Sequence, residues 1–335
     1  MAELLFGGPD RPPRYLRDFL ESCIAAVPAG GTIDFATYYF RDRALAQALI
    51  DACERGVNVT VHVEGRPRRR SANQTVLAML TSHGLRGRLH VHRPGRLLPK
   101  LHPHLHTKIY AFSHPQPMAL VGSFNPSGDE PEDMDVVAEI GDQDRGHNLF
   151  AIYRDPAIVH ALQDHVRTLG GPTDRFGSDR TRIIGDTTLY FYPRIRTGVI
   201  DRHLARLGAG ARIFGAISHL KSGSLSSQLI AAVARGASVE LIVHDTERRV
   251  PEEMIAALRL EGLKIRRYVR TDALPMHAKF LLIDAPSGRT AWLGSFNFNP
   301  RSRYLNHEVL VCSEQAALWD GLYDRYQEIV AELDA

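Results

Sequence analysis

Cysteine is scarce in this 335-residue chain: Cys23, Cys53 and Cys312 stand far apart, odd in number and in no metal-ligand spacing. They read as buried free thiols in a reducing cytoplasm. Long apolar runs are missing too. No stretch approaches the roughly 20 residues that a membrane-spanning helix needs. The opening MAELLFGGPDRPP has no basic segment leading into an apolar one, so a secretory signal is not expected. A membrane, if the protein meets one, is met from its surface. Charge of one sign is not in excess either: Lys and Arg total 41 against 38 Asp and Glu, a net +3. That balance argues against a generally basic nucleic-acid-binding surface and moves attention to local clusters. With 44% apolar and 24% charged residues, extensive disorder is not expected, and the length suits two domains of ordinary size.

What the chain does contain is itself, twice. Residues 44–64, ALAQALIDACERGVNVTVHVE, match residues 225–245, LSSQLIAAVARGASVELIVHD. Each is an amphipathic helix ending at Arg-Gly, with Gly56 or Gly236 where a helix C-terminal glycine belongs, followed by a β-rich run. A basic loop comes next, Arg66 to Arg70 in one copy and Arg248 with Arg249 in the other. Helical stretches at 74–83 and 252–261 follow, then the strands LRGRLHVHR and LKIRRYVR. Each copy closes on an apolar strand, DVVAEI or EVLVCS, and a helix. The glycine-rich segment 170–179 is the natural boundary, giving halves of 1–170 and 178–335. Strands alternating with helices of this length predict an α/β fold with mixed sheets, as a tandem pair related by pseudo-twofold symmetry.

Between these elements lies a repeated polar constellation. The second half has His277, Lys279 and Asp284 as HxKxxxxD, then Gly294-Ser295-Phe296-Asn297. The first has His106 and Lys108 as HxK, then Gly122-Ser123-Phe124-Asn125. Residues i and i+2 of a strand share a face, so each His can aim with its Lys at one ligand. The Ser and Asn side chains add neutral donors, and the glycine lets the backbone come close. Two lysines, two asparagines and two histidines around one phosphate supply fixed positive charge without calling on a metal or cofactor, and none is expected. Losing one such preorganised donor costs on the order of 10²–10³ in rate. Two histidines also suit a covalent route, one attacking phosphorus and the other moving the leaving group's proton. Each imidazole needs an acceptor to fix its tautomer. Glu308, opening EVLVCS, is expected to orient His277. Asp135, opening DVVAEI, is expected to orient His106, with Glu139 as the fallback.

In these motifs the sequence resembles the phospholipase D superfamily, whose mark is HxKxxxxD followed by GSxN. The resemblance covers nearly the whole chain and implies two tandem α-β-α sandwich domains building one composite site. It further implies His106 as nucleophile and His277 as acid. One departure is Ser113, which stands where the first motif's aspartate belongs. That aspartate, five residues beyond the lysine, is read as a structural group too far along the strand to touch phosphate. The alternative is a weakened first half, and with it a catalytically weak binding protein.

The second motif continues as FNPRSRYLNHEVLV, similar to the cardiolipin synthase pattern in Arg301, Ser302, Leu305, Asn306 and Glu308, with Asn299 in place of an aspartate. This implies phosphatidyl transfer or phospholipid hydrolysis at an anionic phospholipid surface, by a cytoplasmic or peripherally associated protein. A nuclease acting on DNA or RNA is the alternative. A monomer suffices to form the site. The basic stretch at 86–100, with Leu97 and Leu98 among its charges, suits a membrane surface, each cation adding about 1 kcal/mol. His102, His104 and His106 alternate like metal ligands, but Pro103 interrupts the strand and His106 already has a role, so His102 and His104 are read as loop residues. Residues 140–148, IGDQDRGHN, are read as a connecting loop.

Overall fold

The computed structural model describes residues 2–82, 85, 88–93, 103–128, 133–171, 180–269 and 274–335. The first half runs β1 (Glu3–Gly7), α1 (Tyr15–Ala25), β2 (Thr32–Thr37), α2 (Arg43–Glu54), β3 (Asn58–Glu64), α3 (Gln74–Ser82), β4 (Leu89–His92), β5 (Ile109–Phe112), β6 (Met118–Gly122), α4 (Met134–Ile140), β7 (Asn148–Tyr153) and α5 (Pro156–Thr168). The second runs β8 (Thr181–Ile184), β9 (Thr187–Tyr192), α6 (Val199–Leu204), β10 (Arg212–Ile217), α7 (Ser224–Ala234), β11 (Ser238–His244), α8 (Glu252–Leu260), β12 (Lys264–Tyr268), β13 (Lys279–Ala285), β14 (Gly288–Gly294), α9 (Pro300–Tyr304), β15 (Glu308–Ser313) and α10 (Ala316–Asp334).

The central strands TIDFAT and NVTVHVE are almost continuously buried, as strands covered on both faces must be. They pair in parallel, β2 with β3 and β3 with β4, while β5, β6, β7 and β1 complete the sheet antiparallel. The second sheet repeats this pattern: β10, β11 and β12 are parallel, and β13, β14, β15 and β9 follow antiparallel, with β8 at the edge. Helices α1 to α3 pack on the outer face of the first sheet, and α6 to α8 on that of the second. The inner faces share one core with α5 and α10, in which Val121 of β6 and Leu293 of β14 are both fully buried. Both sheets are mixed and the fold is α/β, two repeats of one architecture facing each other. Cys23 is buried, Cys53 and Cys312 are half-buried, and all three are free.

One element departs from expectation. DVVAEI does not form the closing strand; it lies in α4. The Asp133 carboxylate accepts from the N–H groups of Asp135 and Val136, at 3.0 and 3.2 Å, which starts a helix. Val136 and Ile140, four apart, form its buried side. The strand that corresponds to β15 is instead β7, NLFAIY, at the end of the segment read as a loop. The expected boundary falls largely at 172–179, outside the described residues, as do His102, Leu97 and Leu98.

Candidate active site

Strands β5 and β13 carry the two HxK motifs to facing ends of their sheets. The segment before each motif pairs with the opposite half: Leu105 bridges His307, and Met276 bridges His147. The His106 N–H donates to His307 O at 3.0 Å, and the His277 N–H to His147 O at 3.0 Å. Each catalytic candidate is therefore strapped to the other half by its own backbone.

The side chains cross in the same way. His106 Nδ1 meets Glu308 Oε2 at 2.8 Å, and His277 Nδ1 meets Asn148 Oδ1 at 2.9 Å. The expectation that Glu308 serves His277 is corrected: β15 reaches across the pseudo-twofold axis to the first half's histidine. Asp135 is corrected too, because it is exposed on α4. Asn148 opens β7 as Glu308 opens β15, with Gly122 opposite Phe150 and Gly294 opposite Leu310, two residues on in each case. A signal for Asn148 was present, since His147-Asn148 lines up with His307-Glu308 when the copies are superposed on their apolar strands.

Glu308 is fully buried and saturated with donors. Its Oε2 also accepts from Ser295 Oγ at 2.6 Å, and its Oε1 from Ser302 Oγ at 2.6 Å and Asn306 Nδ2 at 3.2 Å. Burial alone would raise its pKa, but His106, Lys108 and the Ser295 hydroxyl together hold the carboxyl below its usual value. A carboxylate facing Nδ1 makes that nitrogen the N–H, leaving Nε2 as the free base. At the other histidine the acceptor is neutral: Asn148 Oδ1 accepts also from Ser123 Oγ at 2.9 Å, while its Nδ2 donates to Gln143 O at 2.7 Å.

The GSxN segments explain their own glycines. A Cβ on Gly294, at φ +140°, would lie 2.3 Å from Val309 O, and one on Gly122 would lie 2.0 Å from Leu149 O. That closeness lets Ser295 and Ser123 bond the next strand through both backbone and hydroxyl. Asn125 is engaged, accepting from Tyr39 N–H at 3.2 Å and donating to Gln143 Oε1 at 2.8 Å. The Oδ1 of Asn297 is buried with no hydrogen-bond partner.

Lys108 and Lys279 are buried, and each Nζ donates to the carbonyl of its own motif's histidine, at 2.6 and 2.5 Å. Burial pushes Lys108 down to about 7, and burial with repulsion from Lys108 and Arg249 pushes Lys279 well below its usual value. Burial also lowers His106, to about 4, against the pull of Glu308. His277 is held well below its usual value by burial and by its cationic neighbours Lys279, Arg249 and Lys108. These are the marks of a cavity awaiting an anion. The rings of both histidines line a cleft of about 320 Å³, together with Tyr38, Tyr39, His219 and four arginines that sequence reading did not single out as site residues.

Asp284 lies at the far end of β13 from Lys279, in ion pairs with Arg212 and, at 3.4 Å, Arg289. At the matching end of β5, Ser113 instead accepts from Thr32 N–H at 2.7 Å. The motif's last position is thus remote from the cleft in both halves. His104 stands 3.4 Å from Glu64, and among the described residues no group of His, Cys, Asp and Glu is arranged to hold a metal.

Two half-sheets facing across a paired HxK and GSxN centre define the phospholipase D superfamily. The family whose description is "Cardiolipin synthase, PLD-like domain" matches residues 25–140 and 207–332, and the chain belongs to that family. Among solved structures it is similar to phosphatidylserine synthase of Haemophilus influenzae Rd KW20, at 13% identity and TM-score 0.68 over 98% of this chain and 86% of that one. It is similar also to polyphosphate kinase of Porphyromonas gingivalis, at 16% identity and TM-score 0.67 over 97% of this chain but only 46% of that one. This chain therefore spans less than half the kinase's length. Yeast tyrosyl-DNA phosphodiesterase aligns over 94% of this chain and 90% of its own, at 11% identity and TM-score 0.50. At these identities the likeness is one of fold. No curated protein matches the chain in sequence.

Proposed function

We propose that the cleft hydrolyses or transfers phosphodiesters through a phosphohistidine, and that its substrate is a phospholipid. The observation that carries the chemistry is the unequal crossing of the two histidines: a carboxylate behind His106, a neutral amide behind His277. Glu308 stabilises the positive charge that His106 gains when its Nε2 bonds to phosphorus, which suits it as nucleophile. His277 lacks that support, so its protonated form gives up its proton readily, which suits it as acid.

In the first step the Nε2–P bond forms, the P–O bond to the leaving alcohol breaks, and His277 gives its proton to that oxygen. In the second, water or an acceptor alcohol gives its proton to His277 while its oxygen bonds to phosphorus and the Nε2–P bond breaks. His277 is thereby reprotonated and His106 restored. The diester's negative charge, on entering, raises the lowered pKa of His277 and so helps to load its proton. Lys108, Lys279 and the side-chain amide N–H of Asn297 are the donors that would meet the non-bridging oxygens.

The lipid assignment rests on family membership and on the tail after the second GSxN, whose Ser302 and Asn306 both hold Glu308. No described helix is long and apolar enough to cross a membrane, so the lipid would be reached from its surface. The test offers the protein phosphatidylglycerol vesicles, with and without added alcohol, and separately single-stranded and duplex DNA, all with EDTA present. New phosphatidyl esters or released phosphatidic acid are expected, with loss in His106→Ala and His277→Ala. DNA cutting without lipid turnover would overturn the lipid assignment. Acid-labile label on the protein, absent from His106→Ala, would mark the intermediate.

A further inference from the structure

The cleft holds more positive charge than one phosphodiester needs. Arg249 is only 4% exposed. Its Nη2 donates to Ile140 O at 3.0 Å and its Nη1 to Ser218 Oγ at 3.5 Å, while its Nε is buried with no acceptor. Among the described residues no carboxylate pairs with it. Asp245, four residues back, is ion-paired with His244 and reaches Arg249 only through its field, not through a direct contact. The corresponding residue of the first half, five beyond β3 as Arg249 is five beyond β11, is Arg69, and that one is paired with Glu139 at 3.3 Å. The duplication thus shows what a neutralised arginine looks like at this position, and Arg249 differs from it.

A buried guanidinium left without a counter-charge is strongly unfavourable, so its retention calls for an anion that comes and goes. The surroundings agree. Arg68, Arg248, Arg249 and Arg301 all line the cleft, and among the described residues no Asp or Glu does. Arg248 makes no ion pair or hydrogen bond among the described residues, and Glu139, whose charge acts on it, is shared between Arg68 and Arg69. The field of Arg248 and Arg68, added to burial, pulls even Arg249 down to about 9. Ser218, which Arg249 contacts, donates its N–H to the carbonyl of Ala278, between His277 and Lys279, at 3.1 Å, and this places Arg249 on the His277 side.

We propose that Arg249, with Arg248 and Arg68 at the rim, forms a second anion subsite beside His277 that takes a phosphate carried by the alcohol leaving or entering there. The position decides the ligand. His106 attacks from one side of phosphorus, so the leaving and accepting oxygens occupy the opposite side, that of His277, in turn. A phosphate on that alcohol falls within reach of Arg249, whereas an uncharged alcohol leaves the guanidinium unpaired. The preferred partner is therefore a phosphorylated alcohol, soluble or set in a lipid headgroup. This rests on the assignment of His106 and His277 given above.

Binding and turnover test it separately. Inorganic phosphate titrated calorimetrically into the full chain should fill two sites in the wild type and one in Arg249→Gln. Arg248→Gln, at an exposed position, should weaken the second site at least several-fold, and keeps the test valid should Arg249→Gln misfold. Equal stoichiometry and affinity in wild type and both variants would overturn the proposal, as would a fall in Tm of Arg249→Gln with its phosphate binding unchanged, which would assign the residue to packing. In turnover from phosphatidylglycerol vesicles, the preference for glycerol 3-phosphate over glycerol as acceptor should drop about tenfold or more in Arg249→Gln, the loss of a charge-assisted pair. Phosphatidylglycerol itself as acceptor, giving a doubly phosphorylated lipid, distinguishes the headgroup source from the soluble one. If no diester is turned over while two phosphates still bind, the catalytic assignment fails and the subsite stands.

Discussion

Glu308 concentrates the asymmetry of the site in one side chain. It takes four hydrogen bonds with no exposure to water, and the ring it faces belongs to the other half of the chain. Glu308→Gln keeps the shape but removes the charge that would support the proposed cationic phosphohistidine, so kcat should fall by about 10²–10⁴ with circular dichroism near wild type. A rate within a few-fold of wild type would sever Glu308 from His106's chemistry. Asp284, although part of the motif, forms half-exposed ion pairs at the far end of β13. Asp284→Asn should cost no more than about 1 kcal/mol of stability and leave turnover near normal. A large loss of kcat without unfolding would show that the aspartate reaches the cleft. Which histidine each partner serves was not legible from local sequence, because the pairing runs between residues about 130 and 200 apart.

At the level of elements, the segment after each GSxN decides how a histidine is held. In the second half a short helix, α9, carries Ser302 onto Glu308. In the first, α4 reaches the cleft wall only at Ile140, and it is Gln143, beyond the helix, that holds Asn125 and Asn148. The alternation in DVVAEI mimics a strand, but Asp133 caps it as a helix, and local pattern has no way to weigh the cap against the strand ladder already completed by β7. The GSxN strands, by contrast, were legible down to their glycines. Gly294→Ala would drive a Cβ into Val309 O from a backbone conformation that side chains rarely adopt. It should destabilise the protein by about 2 kcal/mol or more, read from chemical denaturation. An unchanged midpoint would mean that β14 and β15 can part without cost.

For the molecule as a whole, the paired site gathers cationic groups that the fold must hold without a partner until an anion arrives. Lys108 and Lys279 have folded-state pKa values below their usual one. The native state therefore binds fewer protons than the unfolded chain, and stability falls as pH drops from above 10 toward 7. Phosphate should offset this, raising Tm more at pH 7 than at pH 9 in a thermal scan. An equal shift at both would deny that the lysines feel the anion. Turnover should follow the same groups. His106 is a free base above about pH 4, and Lys108 keeps its charge below about pH 7, so kcat/KM for a phosphodiester should be greatest between those values and decline above 7. A rate that climbs into alkaline pH would contradict the assignment.

The sequence by itself determined the duplication, the α/β architecture with mixed sheets, and the identity of the two HxK and GSxN groups. Those features are written in short-range periodicity and in residue spacings that a strand converts directly into a shared face. Only the tertiary structure decided which carboxylate serves which histidine, that an asparagine serves the other, and that Arg249 stands buried without an ion pair among the described residues. These follow from the residues that open β7 and β15 each reaching across to the opposite half. Such crossings depend on how two sheets pack through one core, and no local pattern encodes that.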